Sequence, residues 1–179
     1  MPEALRRLRS GDVDVAVIWR LWQPSGPDRH DGVEGIDELR LADDPYRVVL
    51  PAAHPLRRRR ELCLADLAEE RFNVPPAEGV TLPYRKMLDR LCAEAGFELD
   101  AAYVVEDVTV ARAFVAAGLC VALMPELTIP EPRADVAVRP VRDINPFRSI
   151  YAAWLRGRRV PAVDHMVRHL ADAATARLS

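Results

Sequence analysis

His165 and His169 stand four residues apart in "VDHMVRHLA", a spacing that puts two imidazoles on one side of a helix, as half of a zinc site requires. The glutamate of an HExxH helix is missing between them. Val163, Met166, Val167, Leu170 and Ala174 read as the buried stripe of that helix, which leaves both histidines on a solvated flank. Cys63 and His54 have the residue types of a thiolate–imidazole pair, but Leu64 and Leu67 mark Cys63 as a core residue at a helix edge. None of the four serines lies in GxSxG, so there is no nucleophile elbow. The acidic pairs Asp43–Asp44 and Glu106–Asp107 lack a partner for acid–base work, and the second pair reads more simply as the cap of a helix N-terminus. The chain does not read as an enzyme, and no metal or cofactor is expected.

Three further stretches bear on binding. In "FVAAGLCVALMPE", Gly118 follows a helical pattern and precedes an apolar strand. Phosphate-cradling loops have the reverse order, strand then glycine then helix, so Gly118 reads as a left-handed residue ending a helix. The run Arg57 to Arg60 has the charge to touch DNA, against the plainer reading of a solvated loop. Thr81, in "GVTLPY", stands at the start of the clearest helix, with Pro83 suited to its first turn. An N-cap hydroxyl accepts from the backbone and keeps its own proton, so Thr81 is either an ordinary cap or a donor to a ligand carboxylate.

Elements that position these residues follow from periodicity and punctuation. A short helix carrying Leu5 and Leu8 ends at Gly11, and "VDVAVIW", Val13 to Trp19, is a strand. Leu21 to Gly35 reads as a loop. Extended segments flank Asp44–Pro45, a short helix covers Leu64 to Glu69, and a strand lies near Phe72 to Val74. "TLPYRKMLDRLCAEAG" is a helix with Met87, Leu88, Leu91, Cys92 and Ala95 on one face. Then come strand "AAYVVE", helix "DVTVARAFVAAG", strand "LCVALMP", extended stretches at Val136 to Val138 and Ser149 to Leu155, and an amphipathic helix from Val160 to Leu178. Alternating strands and helices imply an α/β class with parallel βαβ units and helices on both sheet faces.

The 179 residues are 50% apolar and 29% charged with net charge −2, the balance of a globular protein and too little positive charge for a nucleic-acid grip by the chain as a whole. Three cysteines without CxxC spacing give neither a disulfide framework nor a zinc knuckle and fit a reducing cytoplasm. No window is apolar enough for a membrane span.

Five stretches in order, "LRSGDVDVAVI", "DDPYRVVLPAAHPL", "LADLAEERF", "LCAEAGFE" and "FVAAGLCVALMP", resemble the effector-binding region of LysR-type transcriptional regulators. The resemblance spans Leu8 to Pro125. It implies a two-lobed fold like the type-2 periplasmic binding proteins, with a small organic effector between the lobes. Residues 1–43 and 142–179 would form the first lobe and 44–141 the second, with crossings at Asp43 to Arg47 and Arg139 to Pro146. Position by position, the ligand contacts it implies are Trp19, Thr81, Val108 and Thr109. Trp19 falls just past the first strand, where the family often has a small or hydroxylated residue; a tryptophan there favours an aromatic or apolar effector, or fills the site. Asp107 puts negative charge at the turn of Val108 and Thr109, which weighs against a strongly anionic effector.

Against the family pattern, the sequence from Met1 has no winged helix-turn-helix or linker helix, and no opening strand, helix and strand of the first lobe. DNA binding is therefore expected only through a missing N-terminal domain. The incomplete first lobe implies an open edge on the first strand and a homo-oligomer. The alternatives are a solute-binding protein, disfavoured by the lack of a signal peptide, and an inactive relative with no ligand. An enzyme on the same fold is disfavoured because no Cys, His or Lys stands at a matched ligand position.

Overall fold

The structure is a computed structural model that describes residues 2–21, 32–129, 134–158 and 160–178. In chain order the elements are α1 (Pro2–Ser10), β1 (Ala16–Leu21), β2 (Ile36–Pro51), β3 (Asn73–Val74), α2 (Leu82–Glu94), β4 (Tyr103–Val104), α3 (Val108–Ala116), β5 (Ala122–Pro125), β6 (Val136–Arg139), β7 (Phe147–Leu155) and α4 (Pro161–Leu178). They divide into two compact units, Met1–Asp44 with Phe147–Ser179, and Pro45–Pro146. β2 runs through Asp44–Pro45 without a break, so its first part belongs to one unit and its second to the other.

The first unit is built on β1, β7 and the start of β2, in that sheet order. β1 pairs antiparallel with β7, from Ala16 opposite Ala153 to Leu21 opposite Arg148. Leu8 of α1 packs with Ile18, Ile36 and Ala153 on one face, and Val163 and Val167 of α4 cover Ala152 and Trp154 on the other. The strand begins three residues later than the apolar run suggests, because the amides of Asp12 and Val13 donate to the Arg7 carbonyl and close the end of α1. It also extends past Trp19 to Leu21, so Trp19 lies within the strand, opposite Ile150. Most of the loop expected over Leu21 to Gly35 lies outside the described residues.

In the second unit β3, α2 and β4 form a parallel βαβ unit, with Val105 N–H donating to the Val74 carbonyl, and Phe72 bridges Val121 in parallel on the other side of β3. Leu62 also bridges Val141 in parallel. β2 is antiparallel to β5 and to β6, and β1 to β7, so the sheets are mixed rather than built only of parallel units. An apolar run is equally buried beside either kind of neighbour, so its composition does not report strand direction. The expected helix over Leu64 to Glu69 is a single 3-10 turn, Leu64–Leu67, anchored by Leu64 and Leu67.

α3 ends as its sequence demands. The Leu119 amide donates to Phe114 O and the Gly118 amide to Val115 O, with Gly118 at φ +76°, a conformation a side chain would strain although a Cβ there would meet open space. Val115 packs against Val49, Cys120, Ala122, Met124, Ile129 and Val136. Phe72, Leu64, Leu67 and Leu88 are fully buried elsewhere in the unit.

Candidate functional site

β3 and β4 point the same way, and the chain leaving each C-terminal end leads into a helix N-terminus, α2 after β3 and α3 after β4. In α/β sheets ligands gather at such strand ends, because side chains and helix-start amides converge there. Thr81 lies at the start of α2, and Val108 and Thr109 open α3. The topology of this unit therefore brings three of the four residues implied by the resemblance to the same end of one strand pair. Val108 is partly buried against the core, whereas Thr109 is exposed.

Chemically this end differs from an anion-binding cradle. Asp107 is the N-cap of α3, its carboxylate accepting from the amides of Thr109 at 2.8 Å and Val110 at 2.9 Å. At α2 the Leu82 amide donates to Glu78 O and Pro83 has no N–H. Thr81 is not the side-chain cap expected: its φ and ψ are helical, and its hydroxyl is turned back on Pro76 O at 2.6 Å and Glu78 O at 2.9 Å. Its proton is thus directed at a carbonyl, and what it offers outward is a lone pair.

Trp19 belongs to the first unit, where it is half-buried. The Arg148 guanidinium lies 5.7 Å from the centre of its ring. Arg148 in turn forks onto Asp44 Oδ2, with both contacts at 2.8 Å, and Asp44 is wholly buried. Beside it, Ser149 Oγ donates to Asp43 at 2.7 Å. On the opposite face of β1, Arg20 pairs with Glu38 at 2.5 Å, in side chains only about a tenth exposed, and lies over the Tyr151 ring. Asp43 also pairs locally with Arg40, but its contact with Ser149 and that of Asp44 with Arg148 span 106 and 104 positions, a pairing no local pattern announces.

The reactive-looking residues stay apart. His54 bonds Glu70 at 3.0 Å and accepts from the Leu56 amide, while Cys63 accepts from Arg142 Nε at 2.8 Å. His165 and His169 stack edge to face, 4.5 Å apart, on the exposed flank of α4. Met166 is exposed as well, outside the stripe predicted for it, since Val163, Val167 and Leu170 suffice to cover the sheet there. No group of three or more His, Cys, Asp or Glu among the described residues is placed to hold a metal. No helix among them is long and apolar enough to cross a membrane.

Burial pushes the Cys92 thiol from 9.0 up to about 12, with Asp89 adding to the shift, and burial raises the Tyr84 phenol well above 10.0. Tyr84 donates to the Leu123 carbonyl and stacks on Tyr46. In both cases the unfolded group loses its proton at lower pH than the folded one. Stability is then undiminished below pH 9 and falls above it by about 1.4 kcal/mol per pH unit for each group that titrates only when unfolded. Urea melts at increasing pH are expected to show this loss beginning near the thiol's unfolded pKa of 9.0. Cys92→Ala should lessen its slope between there and the tyrosine range, where burial of Cys120, which also raises its thiol from 9.0, keeps part of it.

Two α/β units sharing a long strand, with parallel strands ending at helix starts in one of them, fit a periplasmic-binding-protein-like fold. The profile described as the LysR substrate binding domain matches residues 1–175, and the chain belongs to that family. It is 30% identical over 154 residues to an uncharacterized HTH-type transcriptional regulator, YybE of Bacillus subtilis, covering 86% of this chain and 48% of that protein. Among solved structures it resembles the C-terminal domain of a probable LysR family regulator from Rhodococcus sp. RHA1, with TM-score 0.73 and 26% identity over 95% of this chain and 80% of that one. A putative LysR family regulator from Pseudomonas aeruginosa shares the fold at TM-score 0.75 and 19% identity, with 100% of this chain and 58% of that one covered. The chain spans about half the length of the curated relatives it matches.

Proposed function

We propose that this chain is the effector-sensing domain of a LysR-type transcription factor, without enzymatic activity, that works in the cytoplasm. It binds a small organic molecule through Trp19 in one unit and Thr81, Val108 and Thr109 in the other, and that binding regulates transcription through a DNA-binding domain. The two compact units, divided at 44/45 and 146/147 rather than at 43/44 and 141/142, act as the two lobes. The observation that carries this reading is the placement of Thr81, Val108 and Thr109 at the C-terminal ends of the parallel pair β3–β4.

The chemistry of those ends narrows the effector. Asp107 occupies the first amides of α3 and repels anions, and Thr81 presents a lone pair. Trp19 adds an aromatic face already polarised by Arg148. The effector that fits is an uncharged aromatic molecule carrying a hydrogen-bond donor.

Benzamide and benzoate are a matched pair of probes, neutral donor against anion. Benzamide at about 100 times its dissociation constant is expected to stabilise the fold by about 2.7 kcal/mol. That corresponds to a rise of roughly 5–10 °C in melting temperature, and Trp19→Ala together with Thr81→Val should abolish it. A benzamide shift that survives both substitutions would refute the site. A larger shift with benzoate would refute the effector class.

A further inference from the structure

We propose that the surface formed by residues 57–60 and 139–142 binds the phosphate backbone of duplex DNA without sequence preference. Two segments far apart in sequence are stitched together here. Leu62 bridges Val141 in parallel, the Leu62 amide donates to Pro140 O, and the Arg142 amide donates to Leu62 O. Arg139 is clamped across the run, its Nε donating to Arg59 O at 2.7 Å and its Nη2 to Arg57 O. The result holds six arginines, 57 to 60, 139 and 142, on two neighbouring segments of backbone.

Charge neutralisation within this surface is incomplete. Arg59 pairs with Asp66, and Asp143 accepts from the Leu64 amide. Arg57, Arg58 and Arg60 are exposed and form no ion pair among the described residues. Glu61 and Asp66 lie close to Arg142, so the surplus positive charge is that of Arg57, Arg58 and Arg60, whose guanidinium groups each present a planar fork to a phosphate. Two absences in the local sequence choose the duplex over other polyanions. Residues 55–63 and 139–143 contain no aromatic side chain on which a single-stranded base would stack, and no large aliphatic side chain there is exposed to enter a lipid surface, since Leu62 and Val141 are buried and Leu56 is partly so. The chain as a whole carries −2, so any affinity for DNA must be local to such a surface.

Fluorescence anisotropy of a labelled mixed-sequence duplex with the full chain tests this. Binding is expected at about 50 mM salt and lost by about 200 mM, with a log–log salt slope of roughly −3 to −4.5, the value for three to five phosphates. Arg57→Glu, Arg58→Glu and Arg60→Glu combined should weaken it at least about tenfold, while Lys86→Glu, Arg90→Glu and Arg168→Glu, a charge-matched change elsewhere, should cost far less. If the reversed triple fails to fold, the glutamine triple at 57, 58 and 60 should still flatten the salt slope. No binding at low salt, or equal loss in both triples, would overturn the proposal. Binding to polyglutamate but not to the duplex would overturn it too, and would assign the surface to an acidic protein.

Discussion

Asp44→Ala is expected to destabilise the fold by about 3–5 kcal/mol, because it leaves the Arg148 guanidinium in a largely buried position with its carboxylate gone. In a chain of this length the melting temperature should fall by roughly 10 °C or more. The size of the effect comes from desolvation: Asp44 is wholly buried and the Arg148 side chain is 16% exposed, so neither charge is easily rehydrated when the other is removed. Arg148→Met added to Asp44→Ala should recover part of the loss, since it removes the stranded charge. A double variant no more stable than the single one would show that Asp44 acts through other contacts than this pair. The Trp19 ring, with Arg148 against it, should become more mobile in Asp44→Ala, which acrylamide quenching can follow.

How much of this was legible in the sequence differs from element to element. α2 was, because Met87, Leu88, Leu91 and Cys92 recur at helical spacing and the glycine after them takes φ +90°. The ends of β1 were not. Val13 looks like strand, but its amide donates to the Arg7 carbonyl that α1 leaves open at its end. Strand direction was also hidden, as was the pairing of Asp44 with a residue 104 positions later. At the candidate site, sequence and resemblance located Thr81, Val108 and Thr109 at helix starts, while the direction of the Thr81 proton needed coordinates: a threonine before a helix is compatible with both geometries.

The exposure of Val17 leads to the other large expectation, that the chain self-associates through β1. The apolar run Val13 to Ile18 reads as a strand buried on both faces, and it is half right. Ile18 is 2% exposed, Val15 packs against the α4 cluster, but Val17 is 53% exposed. In the sheet order β1 is terminal, with β7 as its partner and no other described strand beside it. Ala16, Val17, Ile18 and Trp19 include no lysine or proline to discourage pairing. A second copy is the occupant such an edge suits, because two identical strands related by a twofold axis can pair antiparallel and extend both sheets at once. Light scattering is therefore expected to give a mass above the 20.0 kDa of one chain, rising with concentration. Val17→Lys should leave folding within about 0.5 kcal/mol, since the side chain is already in water. It should weaken association by roughly tenfold or more, because each copy would bring its own charge to the shared axis. A chain that stays monomeric at high concentration before any substitution would rule out β1 as an association edge.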